Sequence, residues 1–134
     1  MATRSTIAKV MEDGTIRSIY CHWDGYPDYV GRILGTHYTD PTKIDQLLAL
    51  GDISTLDVEI GEKQDFDDRK EGWTLAYGRD RGETGTYALP HMDVDGWKAL
   101  RRDSGCEYGY LWNGSEWETF NLYGVDDNED YRND

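Results

Sequence analysis

The sequence predicts an α+β domain, an antiparallel sheet built from hairpins with about three short helices packed on one face. Three observations predict it. The turn dipeptides Asp13-Gly14 and Asn113-Gly114 each separate two runs that alternate apolar and polar residues, which is the hairpin pattern. Three other segments carry apolar residues at helical spacing. A chain of 134 residues suits one domain, placed at 1–124, with 125–134 an acidic C-terminal tail.

The first hairpin pairs 4–12 with 15–23. A type I′ turn at Asp13-Gly14 would set Ile7 opposite Tyr20 and bring Arg4 and Ser5 beside His22 and Trp23. From Pro27 to about Tyr38, Val30, Ile33, Leu34 and His37 fall on one helical face. Gly31 and Gly35 weaken that helix or admit a close neighbour. The clearest helix runs from Pro41 to Leu50: Asp40 caps it, Ile44, Leu47 and Leu48 form its apolar stripe, and Gly51 stops it. Residues 52–71 read as a long connection with a short strand. Trp73, Leu75 and Tyr77 then alternate as a half-buried strand, Gly78–Glu83 forms a polar loop, and Thr84–Leu89 returns antiparallel. Val94–Arg102 is a short helix capped by Asp93, with Val94, Trp97 and Leu100 inward and Arg101 and Arg102 as helix-end charges. The last hairpin, around Asn113-Gly114, sets Tyr110 opposite Trp117. Its aromatic face (Tyr108, Tyr110, Trp112) permits a homodimer if no helix covers it, and the sequence leaves monomer and homodimer both open.

The formal net charge is −13, which argues against direct nucleic-acid binding and against an anionic membrane surface. The charge is uneven: residues 52–71 carry net −5 and 116–134 net −6. Asp65, Asp67, Asp68 and Glu71 in the first segment, with Asp126, Asp127, Glu129 and Asp130 in the second, make a candidate protein-binding surface that imitates a nucleic-acid backbone; the simpler reading is a solubilising loop and a frayed tail. No run of apolar residues is long enough to span a membrane, and the N-terminus lacks a secretory pattern. Cys21 and Cys106 form no CxxC pair and read as reduced thiols.

The densest chemistry lies in Tyr20-Cys21-His22-Trp23-Asp24-Gly25-Tyr26. Adjacent strand residues point to opposite faces, so Cys21 and His22 do not make a catalytic pair. No metal and no cofactor is assigned. Trp23 and Tyr26 suit stacking on a flat ligand, and Arg79 and Arg81 in the 77–83 loop suit a phosphate or carboxylate. A nucleotide-sequestering site of Arg4, His22, Trp23, Asp24, Tyr26, Arg79 and Arg81 follows, provided the 4–26 and 77–83 segments converge. The competing reading makes Asp24-Gly25 a turn, Cys21 core, and the 77–83 charges self-neutralising. Catalytic residues are assigned to none; a nucleotide-directed enzyme with His22 as base is the weakest alternative.

Thr3-Arg4-Ser5-Thr6-Ile7, Ile19–Tyr26, Gly31 with Ile33-Leu34 and His37-Tyr38, Leu50–Ser54, and Tyr77-Gly78-Arg79-Asp80-Arg81-Gly82-Glu83 together resemble a family of small tailed-bacteriophage proteins. The likeness covers roughly residues 3–83 and, more loosely, the C-terminal hairpin. It implies a setting, the cytoplasm of an infected bacterial host, and supplies no mechanism. In that setting the first functional expectation is a counter-defence protein: an acidic inhibitor of a host defence nuclease such as a CRISPR or restriction complex. The second is the nucleotide-sequestering site.

Overall fold

The computed structural model describes residues 2–122. The candidate contacts Asp126, Asp127, Glu129 and Asp130, and the tail division at residue 125, lie outside the described residues.

Strands β1 (Ser5–Val10) and β2 (Ile16–Cys21) form the first hairpin, with Ile7 opposite Ile19 and Val10 opposite Ile16. The register differs by one from the expected one. Only Gly14 in this turn has positive φ (86°), and Met11 N–H donates to Thr15 O at 2.8 Å. Asp13 Oδ1 accepts from the Thr15 N–H at 3.0 Å and from its hydroxyl at 2.6 Å. The connection is therefore a three-residue loop closed by one left-handed glycine, and the type I′ turn would need two positive-φ residues. One step of register exchanges the faces, so Ile19 joins Ile7 in the core and Tyr20 goes to the other side.

A π-helical turn, Pro27–Gly31, leads into α1 (Arg32–His37), and α2 spans Pro41–Ala49. Val30 and Leu34 are buried as expected, while His37 is exposed and Tyr38 takes the inward place, its hydroxyl donating to Asp57 O at 2.7 Å. Gly31 admits a close neighbour: a Cβ there would stand 3.2 Å from the Tyr110 ring. Asp40 caps α2 through the Thr42 N–H at 2.9 Å, and Gly51 ends it at φ 77°.

Three expectations for the middle of the chain are corrected. After β3 (Ile53–Thr55), strand β4 is only Leu75–Ala76, and the predicted polar loop is a short helix, α3 (Tyr77–Arg81). Asp80 makes it so: its buried carboxylate accepts from the N–H groups of Ala76 (2.8 Å) and Gln64 (3.1 Å), fixing the first turn. Gly82, at φ 76°, supplies the stop. The returning strand, β5, falls at Leu89–His91 and pairs with β2. Helix α4 (Val94–Asp103) carries the Asp93 cap, bonded to Gly96 N–H at 2.8 Å. Trp97 is fully buried, but Leu100 is 44% exposed and Arg101 only 4%.

In the last hairpin, β6 (Tyr108–Trp112) and β7 (Trp117–Asn121), Trp112 faces Trp117 with ring centroids 5.5 Å apart, and Tyr110 faces Thr119. Asn113 Oδ1 accepts from the N–H groups of Ser115 and Glu116, both at 3.0 Å, which sets a four-residue connection and shifts the pairing from the one expected.

The strand order is β4-β3-β2-β1-β6-β7, with β5 beside β2. The α+β class holds, but the sheet is mixed and not antiparallel: β1 pairs parallel with β6, and β2 with β3. Each of these parallel neighbours arrives after a helical crossover, which reverses the sense a hairpin would give. Helices also cover both faces, correcting the one-face expectation. Ile7, Ile19 and Tyr110 pack with Val30, Leu34, Ile44 and Leu47 on one side. Ala8, Ile16 and Leu111 pack with Trp97 on the other. The aromatic face offered for a dimer is thereby covered: Tyr110 is 1% exposed and its hydroxyl donates to Gly25 O at 2.6 Å.

Candidate functional site

The sheet face beneath α4 is apolar at one end and polar at the other. Ser18, Tyr20 and His22 alternate along β2 and its exit, so their side chains share this face. On β1 the partners of the first two are Ala8 and Thr6, and Arg4 continues the row. Trp97 closes the apolar end, its indole N–H donating to Thr6 Oγ1 at 3.1 Å. Its neighbour one helical turn on, Arg101, reaches the polar end.

Arg101 is held by Ser18 at two points, Nε–H to Oγ (2.9 Å) and Nη2–H to the carbonyl oxygen (3.0 Å). Ser18 Oγ also lies 2.7 Å from His91 Nε2. The Ser18 hydroxyl accepts the Arg101 Nε–H and shares a second hydrogen bond with His91, whose tautomer sets which of the two donates. Burial, then the charge of Arg101, lowers the His91 pKa. Further along, the Tyr20 hydroxyl and His22 Nδ1 are 2.7 Å apart. Burial pushes Tyr20 up to about 12 and, with Arg4, lowers His22, so a protonated phenol and a neutral imidazole share this hydrogen bond. The His22 ring meets the Trp23 indole edge-on at 4.7 Å.

Asp52 comes from the link between α2 and β3. Along β2 the flanking strand is interrupted, β3 pairing at Cys21 and β5 at Ile16–Ser18. Asp52 Oδ1 fills the interruption by accepting the Tyr20 N–H at 3.0 Å. Burial raises its pKa, against that hydrogen bond and the charge of Arg101. Cys106, buried just after α4, is pushed up to about 11 by the same exclusion of water, and Arg4 lies against Gly105 beside it. Tyr20, His22, Asp52, His91, Arg101 and Cys106 thus place six shifted titratable groups on one face. Such clustering makes this face the candidate site. The chemistry on offer is binding and orientation. Ser18 and Cys21 are fully buried, and Cys21 is pushed up to about 12, so neither is poised as a nucleophile.

The predicted site residues divide. Arg4 is exposed, and its guanidinium forms no hydrogen bond or ion pair among the described residues. It stands with His22 and Trp23 at the polar end. Trp23 is 43% and Tyr26 40% exposed, presented by a turn in which Asp24 takes φ 55°. That turn is pinned by Trp23 N–H to Ser54 O (2.9 Å) and Gly25 N–H to Thr3 O (2.8 Å). Arg79 is engaged elsewhere: it donates to Asp80, to Ile60 O (2.8 Å) and to Thr74 O (2.7 Å). Arg81 pairs with Glu83 and lies over the Phe66 and Tyr77 rings. Asp65, Asp67, Asp68 and Glu71 are all exposed, the first three on a tight turn in which Asp65 Oδ1 accepts the Asp67 N–H at 3.0 Å. Arg69 and Lys70 interrupt the run; Arg69 is paired with Asp57.

Sequence reading missed Ser18, Asp52, His91 and Arg101. Arg101 had a signal, since it lies four residues after Trp97 and so on its face. Among the described residues, no group of three or more His, Cys, Asp or Glu side chains is placed to hold a metal ion. No protein-family model, curated protein or solved structure matches the chain.

Proposed function

We propose that the protein is a binding protein that captures a small ligand carrying an anionic group and a flat ring, of the nucleotide class. The observation that carries this is the Arg4 guanidinium, without a hydrogen bond or ion pair among the described residues, beside the Tyr20–His22–Trp23 ladder. A guanidinium suits phosphate bidentately, and an exposed indole stacks on a base. This differs from the arginines first expected, because Arg79 is committed to backbone carbonyls. The resemblance to small tailed-phage proteins would set such capture in an infected bacterial cell, where sequestering a nucleotide signal counters a host response.

Native mass spectrometry of the full chain purified gently from a bacterial host tests the reading. A small adduct lost on denaturation, and lost in Arg4→Gln, is the expected result. A bare chain that binds no nucleoside monophosphate in a fluorescence titration refutes it. A second reading, the acidic counter-defence inhibitor, is favoured by the common exposure of Asp65, Asp67, Asp68 and Glu71. Co-purification of a host nuclease subunit, released by salt and abolished when these four are neutralised to Asn and Gln, would support it.

A further inference from the structure

Beside Tyr20 the fold leaves one acceptor and one donor unused. Asp52 gives Oδ1 to the Tyr20 N–H, and its Oδ2 has no partner among the described residues. Arg101 gives Nε and Nη2 to Ser18, and its Nη1 likewise has none. Among the described residues, the one fully buried side-chain N or O atom without a partner is Ser5 Oγ. Asp52 Oδ2 and Arg101 Nη1 are therefore not fully enclosed. Asp52 and Arg101 attract one another through space but form no ion pair, with no N···O approach as close as 4.0 Å.

Opposite charges in a half-buried place close up unless something holds them apart. Here the backbone does. Asp52 is tied to the β2 main chain and Arg101 to the Ser18 carbonyl, so neither swings toward the other. What remains is an unused acceptor and an unused donor whose charges attract one another, neither of them fully enclosed. The complement is a ring N–H adjacent to a carbonyl. Guanine and uracil carry that lactam edge; adenine and cytosine instead set a bare ring nitrogen beside an amino group.

We infer that the site selects guanine or uracil nucleotides, with Asp52 accepting the ring N–H and Arg101 donating to the adjacent carbonyl. This rests on the nucleotide-binding reading above and adds the base. Arg4 then serves the phosphate, and Trp23 the ring face.

The test titrates GMP, UMP, AMP and CMP into the full chain and into Asp52→Asn, by calorimetry and tryptophan fluorescence. Asn keeps an oxygen for the Tyr20 N–H, and an unchanged melting curve confirms that the variant folds. GMP and UMP should bind about tenfold more tightly than AMP and CMP, the lower end of what a matched edge supplies. Asp52→Asn should bring all four within about threefold of each other. Equal affinities in the unaltered chain, or a preference that survives in Asp52→Asn, would overturn the inference and leave nucleotide binding standing. If none of the four binds, both fall.

Discussion

Removing the Arg101 guanidinium should cost the fold far more than a helix-end charge would. In Arg101→Met, two hydrogen bonds from a charged group to Ser18 disappear. Hydrogen bonds of this kind contribute about 1.5–3 kcal/mol each. Relief of the guanidinium's own desolvation offsets part of the sum, and Met fills much of the volume, so the net loss should be about 3 kcal/mol. For a chain of this length that corresponds to a fall in Tm of about 10 °C. Urea unfolding followed by circular dichroism measures it, at unchanged m-value. A double-mutant cycle with Ser18→Ala isolates the pair, and a coupling of about 1 kcal/mol or more is expected because the residues share a network. A loss within about 0.5 kcal/mol, the range of ordinary surface changes, would show that Arg101 does not pin α4 to β2.

Acid should weaken the protein before its carboxylates titrate. His22 and His91 both have folded pKa values below 6.5, so their contribution is complete above that pH and is lost as pH falls through the lowered values, the unfolded chain taking up the protons first. The urea midpoint should drop between pH 7.5 and 5.5, and His91→Gln should flatten the slope; an unchanged slope would remove His91 from the account. Asp52 works in the opposite sense in a lower window, because its raised pKa makes its contribution fade as pH climbs from its ordinary 3.8. Gly51→Ala should destabilise by about 2–4 kcal/mol, since φ is +77° and the new Cβ would meet Thr86 O at 2.2 Å. A thermal melt within a degree of the unaltered chain would contradict that geometry.

What the sequence made legible was mostly local. The caps of α2 and α4, the stop at Gly51 and the stripe Ile44–Leu47–Leu48 depend on neighbours a few residues away, and all are present. Both hairpins exist, yet each register differs, because a dipeptide marks a turn without counting its residues. Tertiary contacts decided the rest. Tyr77–Arg81 is helical because Asp80 reaches Gln64 across the chain. Arg101 is buried because Ser18 lies below it; its spacing from Trp97 marked the face, and only the tertiary partner fixed the burial. The same holds for the site. The block from Tyr20 to Tyr26 was visible as a dense patch, but its arginine partners could not be chosen without knowing that Arg79 turns inward.

The parallel pairing of β1 with β6 also has a temporal consequence. β1 sits inside the sheet, and its second neighbour is supplied by nearly the last described strand. Contacts so distant along the chain form slowly, because a long loop must close before they stabilise anything. A nascent chain would hold Arg4, Tyr20, His22 and Asp52 well before α4 and β6 exist to complete the face above them. If the protein binds a nucleotide as proposed, that capacity should be among the last it acquires during synthesis, and a truncation before Tyr108 should abolish it even where the N-terminal half remains intact.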